Sequence, residues 1–201
     1  MRTFYVCSYG GSGSKMITRY LNNFGFTEHI HSRIPPNELT YVGNSNKFGY
    51  GGEWFNSEKI PEYKLNNYSV IFVYRNPINS IYSRYGYKRH LRNVNLDINI
   101  NLGHILHHKK DLYKIEEFFD NYVTDNPNRN YKIYCVKYED FFGNIEQFND
   151  ILNLENNKKI YPKKKETNHN YEHWDELYEI YKDLIDRMDN MNFLEIVGKH
   201  L

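Results

Sequence analysis

The chain has 201 residues, a hydrophobic content of 40% and a formal net charge of +1. That is enough apolar material for one α/β domain with a proper core, and too little net charge for wholesale electrostatic binding to nucleic acid or a membrane surface. No apolar run approaches membrane-spanning length and no leader pattern precedes the first strand, so a soluble, cytoplasmic protein with residues 1–201 as a single domain is expected.

Phe4-Tyr5-Val6-Cys7 is a short apolar, β-prone run. Gly10, Gly11 and Gly13 follow within Ser8 to Ser14, and then Met16, Ile17, Tyr20, Leu21 and Phe24 fall at helical spacing, with Gly25 where a C-cap glycine would stand. Strand, glycine-rich turn and helix are thus contiguous, the layout of a phosphate or sulfate cradle. The glycines let the backbone approach an anion, and unpaired N–H groups near Ser14 and Lys15 would point at it. The spacing is not that of Walker A, which needs Gly-Lys-Ser/Thr, because Gly13 is followed by Ser14, Lys15 and Met16.

Phe26 to Ile34 reads as a strand running into a loop that Pro35-Pro36 stops. Residues 37–67, rich in Gly, Asn and Tyr, read as a long irregular segment of the kind that carries function. Ser69 to Tyr74 is a continuous apolar run, as in a strand buried on both faces of a parallel sheet. Arg75 stands at its end, Asn76 is a good N-cap, Pro77 suits the first helical position, and Ile78, Ile81, Tyr82 and Tyr85 continue at helical spacing.

The stripe of Leu106, Leu112, Ile115, Phe119 and Tyr122 predicts one helix across 103–123. Tyr131 to Val136 is a third strand, ending in Lys137-Tyr138-Glu139-Asp140, and Asn144 with Gln147 forms a capping-box pattern before the helix bearing Ile145, Phe148, Ile151 and Leu152. A basic loop, Lys163-Lys164-Lys165, precedes a final amphipathic helix with Trp174, Leu177, Tyr178, Tyr181, Leu184, Ile185 and Met188 on one face. Cys7 and Cys135 fall in strands and read as reduced core thiols. His104, His107 and His108 have a partly metal-like spacing without an evident carboxylate or cysteine partner.

Three strand ends therefore present polar groups: the glycine loop, Arg75 with Ser83, and Tyr138-Glu139-Asp140. In open parallel sheets ligands bind at that end. These pieces resemble the sulfotransferases that use 3'-phosphoadenosine 5'-phosphosulfate (PAPS). The family's Pro-Lys-Ser-Gly-Thr-Thr-Trp loop is matched in part by Gly10-Gly11-Ser12-Gly13-Ser14-Lys15-Met16, and its Arg with a Ser eight positions on is matched by Arg75 and Ser83. Tyr138 lies in the segment that resembles the family's adenine-side Tyr-Glu-Asp. The Lys-rich loop with Asn168, Tyr171 and the last helix resembles the family's C-terminal end.

The resemblance implies a three-layer P-loop-like α/β fold with a central parallel sheet flanked by helices. It also implies PAPS as donor, 3',5'-adenosine bisphosphate (PAP) as product and no metal. The loop 10–16 would hold the 5'-phosphosulfate, Arg75 and Ser83 the 3'-phosphate, and Lys165 in the basic loop would take the place of the family's Arg-Lys-Gly triplet. The family's loop lysine is replaced here by Gly11, and its stacking Trp by Met16; Lys15 is the nearest cation to take over the lysine's charge. The family's base is His or Glu: His29, His31, Glu28 and Glu53 are available, with His31 preferred because imidazole accepts a proton near neutral pH and Glu53 as a carboxylate alternative. The acceptor would be a small phenol, a carbohydrate or a tyrosine, contacting residues 37–67. Two other readings stand beside this one: a P-loop nucleotide or small-molecule kinase with Asp140 supporting magnesium, and a non-catalytic PAP- or PAPS-binding protein.

Overall fold

The computed structural model describes residues 1–42, 58–164 and 171–198. Five strands, β1 (Thr3–Cys7), β2 (Phe26–Ile30), β3 (Tyr68–Tyr74), β4 (Ile133–Lys137) and β5 (Leu194–Val197), form one sheet in the order β2-β1-β3-β4-β5. β1 pairs in parallel with both β2 and β3, β3 pairs in parallel with β4, and β5 runs antiparallel to β4. Chain order reverses its direction across the sheet between β1 and β3, the kind of switch point beside which open α/β sheets bind ligands at the strands' carboxyl ends.

The apolar runs of β1 and β3 are covered on both faces, as their lack of polar alternation predicts. One face of the sheet presents Tyr5, Cys7, Val70, Phe72, Tyr74 and Cys135 to a core containing α5 (Ile115–Val123) and α8 (Trp174–Asp189). The other presents Phe4, Val6, Ile71, Val73 and Val136 to α1 (Ser14–Leu21) and α7 (Ile145–Ile151). Phe72 is fully buried and stacks on Tyr122 at 4.5 Å and on Phe118 at 6.0 Å between centroids. Truncating such a side chain costs about 3–5 kcal/mol. Both cysteines are buried free thiols, and burial pushes Cys7 up to about 12.

Several local expectations are corrected. α1 ends at Leu21 with Asn22 as right-handed C-cap. Gly25 is instead required by close approach, because a Cβ there would meet the Arg2 carbonyl oxygen at 2.5 Å. The segment after Asn76 starts as α2 (Pro77–Ser80), with the Asn76 side chain accepting from the N–H groups of Ile78 and Asn79, and continues as a π turn over Ile81–Tyr85 before α3 (Lys88–Asn93). The single helix expected over 103–123 is two, α4 (Leu102–His108) and α5, separated by Lys109 and Lys114 in left-handed conformation. Asn144 caps no helix with its side chain, which donates to the Asp140 carbonyl closing α6 (Tyr138–Phe141). Tyr178 lies outside the buried face of α8, which Leu177, Tyr181, Leu184, Ile185 and Met188 form. Within the stretch expected to be irregular, Glu62–Asn67 is a 3-10 turn leading into β3. No described helix is long and apolar enough to cross a membrane.

Candidate functional site

β1 delivers the chain to the switch point, where Ser8, Tyr9, Ser12 and Ser14 are buried around three glycines. Gly10, Gly11 and Gly13 take φ of 91°, 71° and 74°, which an L side chain rarely adopts. Space demands glycine as well: a Cβ would meet the His90 ring at 2.0 Å from position 10, the Ser80 carbonyl oxygen at 2.7 Å from position 11, and the Tyr138 ring at 2.0 Å from position 13. The left-handed Gly13 starts α1, its carbonyl accepting from Met16 N–H at 2.8 Å. The N–H groups of Ser14 and Lys15, ahead of that bond, have no acceptor within the helix, so these residues stand at its positive end. Lys15 is exposed and Met16 half-buried. The Ser12 hydroxyl is buried and has no partner among the described residues.

Arg75 ties the strand ends together. Its N–H donates to the Tyr9 hydroxyl at 2.7 Å, and that hydroxyl donates in turn to the Arg75 carbonyl. The Arg75 Nη1 donates to the Gly11 carbonyl at 3.2 Å, its Nε lies 3.7 Å from Glu139 Oε1, and its guanidinium lies 5.2 Å from the Tyr138 ring centroid. Glu139 Oε1 also accepts from Asn76 N–H at 3.0 Å. Burial raises the Glu139 carboxyl above its ordinary range, against the lowering effect of the Asn76 N–H and of Arg75. The loop after β1, the end of β3 and the end of β4 therefore form one bonded unit. Ser83 sits half-buried inside the π turn and is not bonded to Arg75. On the α8 side, Tyr74, Asn76, Asn79, Lys137 and Glu139 line a cleft of about 140 Å³. The Tyr74 hydroxyl and Glu139 Oε2, which have no partner among the described residues, both belong to it, and it has room for several waters.

Three histidines from two elements close around the back of the loop. The His31 and His29 rings lie 4.3 Å apart and the His31 and His90 rings 6.0 Å apart. His31 Nδ1 lies 3.1 Å from the Ser8 carbonyl and His90 Nε2 lies 3.1 Å from the Tyr9 carbonyl, which also accepts from Tyr85 OH at 2.7 Å. A carbonyl can only accept, so His31 carries its proton on Nδ1 and His90 on Nε2. Burial lowers all three imidazoles; neighbouring His31, Lys15, Arg84 and His90 push His29 lower still, Arg84 adds to the lowering of His31, and His90 falls to about 3. The cluster is neutral at physiological pH.

The strand ends thus bring together Gly10, Gly11, Ser12, Gly13, Ser14, Arg75 and Tyr138, with His31 behind the loop. Lys163 and Lys164 are exposed, and Glu53 and Lys165 lie outside the described residues. Asp140 is exposed on α6. Among the described residues, no group of three or more His, Cys, Asp or Glu side chains could hold a metal ion. Sequence reasoning passed over Ser8, Ser80 and His90, which are distant in the chain and carry no motif of their own; only the folded loop makes them neighbours. Comparisons with protein-family models, characterised proteins and solved structures returned no match for this chain.

Proposed function

We propose that the protein is a sulfotransferase, with a P-loop-like site, that moves the sulfuryl group of PAPS onto a hydroxyl or amine acceptor. The observation that carries this reading is the hydrogen bond from Arg75 to the carbonyl of Gly11, at the topological switch point. It joins the two stretches that resemble the family's 5'- and 3'-phosphate motifs. In the proposed reaction the acceptor heteroatom attacks sulfur in line, the bond from sulfur to the bridging phosphate oxygen breaks, PAP leaves, and the acceptor's proton passes to a base. His31 suits the last role: with Nδ1–H committed to Ser8, its Nε2 keeps a lone pair, and its lowered basicity leaves it unprotonated. Glu53 is the carboxylate alternative.

The replacement of the family lysine by Gly11 has a physical reason here, since the Ser80 backbone occupies the space a side chain would need. The charge on the leaving group then falls to Lys15 and to the amides of the first turn of α1. Arg75 and Ser83 would take the 3'-phosphate, the Tyr138 face the adenine, and Met16 would pack where the family has Trp. Lys165 would add a further phosphate contact.

The test is transfer of label from [35S]PAPS to a panel of phenols, carbohydrates and tyrosine peptides with chelator present. The expected outcome is metal-independent labelling of one acceptor class, with PAP released in equal amount. Phosphoryl transfer from ATP that requires magnesium would replace this reading with a kinase. Tight PAP binding with no transfer to any acceptor would replace it with a non-catalytic nucleotide-binding protein.

A further inference from the structure

Ser14, the first residue of α1, has a buried hydroxyl with two close partners: Ser8 Oγ at 2.7 Å and His29 Nε2 at 2.8 Å. Hydrogen-bond accounting assigns the protons. Ser8 Oγ already accepts from Gly10 N–H at 3.3 Å. Ser8 is fully buried, and its hydroxyl proton has no acceptor among the described residues other than Ser14. Ser8 therefore donates to Ser14, since the reverse would strand a buried proton. The remaining choice is whether Ser14 donates to His29 or His29 to Ser14.

We infer that His29 donates its Nε2–H to Ser14, so that the two lone pairs of the Ser14 hydroxyl are filled by Ser8 and His29 and its proton is left to donate to an anion in the glycine loop. Three physical arguments favour this direction. Nε2–H is the ordinarily preferred tautomer of a neutral histidine, and the burial of His29 keeps it neutral. The opposite arrangement turns lone pairs of Ser14 toward the positive end of α1, where an anion would then be repelled rather than bound. Ser14 also occupies the position at which the loop meets the first helical amides, the geometry in which a hydroxyl donor adds to backbone N–H groups on one anion. His29 is thus a positioning residue acting through Ser14, and the ligand class is the phosphosulfate or phosphate of the donor nucleotide. The identification of that ligand rests on the sulfotransferase reading; the direction of the His29 bond rests on the loop holding an anion of any kind.

The deciding measurement is the imidazole ¹⁵N spectrum of the full-length protein near neutral pH, free and with PAP, assigned with the His29→Gln variant. The expected result is an Nε2–H tautomer for His29 in both states. An Nδ1–H tautomer would mean that Ser14 donates to His29, and would overturn the inference. Binding supplies the second arm. His29→Gln keeps a donor at the position of Nε2 and is expected to bind PAP within about threefold of wild type, whereas His29→Leu is expected to lose about tenfold. Both should leave affinity for adenosine 3'-phosphate, which has no 5' group, unchanged. Equal losses for the two ligands, or no rescue by Gln, would reduce His29 to a structural residue. If wild type binds no PAP, the sulfotransferase reading falls, and the tautomer alone decides the relay.

Discussion

Gly11 is the position at which this loop departs most from the family it resembles, and it is also where a substitution has the most predictable cost. Gly11→Ala places a Cβ at φ 71°, which costs about 1–2 kcal/mol for an L residue. That Cβ lies 2.7 Å from the Ser80 carbonyl oxygen and 2.8 Å from the Ser80 Cα. Both are backbone atoms at the end of α2, so relief requires moving the helix, and overpacking of this kind costs about 1–3 kcal/mol. The total expected loss is about 2–5 kcal/mol, read by urea denaturation as a fall in midpoint at constant slope. Gly86→Ala is the internal control: Gly86 has φ −72°, nothing lies within 4 Å of its added Cβ, and its stability should shift by less than about 1 kcal/mol in either direction. Gly11→Lys should restore no family-like function and should destabilise at least as much as Gly11→Ala. A Gly11→Ala midpoint indistinguishable from wild type would show that the loop is not packed against α2 as described, and the explanation for the absent lysine would fall with it.

Lys15→Met should lower turnover on the order of a hundredfold while changing PAP affinity much less, because in the proposed reaction the ammonium would act on charge that develops in the transition state; near-normal turnover in single-turnover assays would refute this role. Arg75→Ala should weaken PAP binding by about 1.5–3 kcal/mol, and Ser83→Ala by about 0.5–1.5 kcal/mol, with much smaller losses for adenosine 5'-phosphate by calorimetry; equal losses for both nucleotides would misplace the 3'-phosphate. Stability should fall as pH drops from about 6.5 to about 5, because the unfolded chain takes up protons on His29, His31 and His90 that the folded chain excludes. The folded pKa values lie below the unfolded ones, so the loss begins at the unfolded value and deepens toward acid. His90→Gln should flatten that slope in denaturation midpoints across pH, and an unchanged slope would contradict the buried neutral assignment.

What the sequence showed best were the elements whose signal is local. The apolar runs of β1, β3 and β4 and the long stripe of α8 emerge where composition and period place them. The Asn76 cap with Pro77 behind it is observed as expected, since capping needs only neighbouring residues. β5 was missed because four residues give too short a pattern to separate from a helix tail. The break between α4 and α5 was hidden because the apolar stripe continues through it. Asp111 accepts from Glu116 N–H at the start of α5 and also from Tyr181 OH on α8, and the second bond, 70 residues apart in the chain, lies outside any local window. Among the residues gathered at the strand ends, the glycines and Arg75 were legible from their place after apolar strands, and a role for Tyr138 came only from the resemblance to the family's Tyr-Glu-Asp segment. Their bonding to one another, the occupation of the Gly11 space by Ser80, and the union of His29 and His31 with His90 depend on contacts across about sixty residues or more.

In the proposed function the carboxyl ends of β1 and β3 hold a 3'-phosphorylated nucleotide that is used without metal. Thermal unfolding of the wild-type chain with PAP, adenosine 5'-phosphate and ATP, each with magnesium or with chelator, tests it most directly. The account predicts a concentration-dependent rise in Tm with PAP that chelator leaves intact and that exceeds the rise with adenosine 5'-phosphate. Stabilisation by ATP with magnesium alone, or equal stabilisation by PAP and adenosine 5'-phosphate, would contradict it.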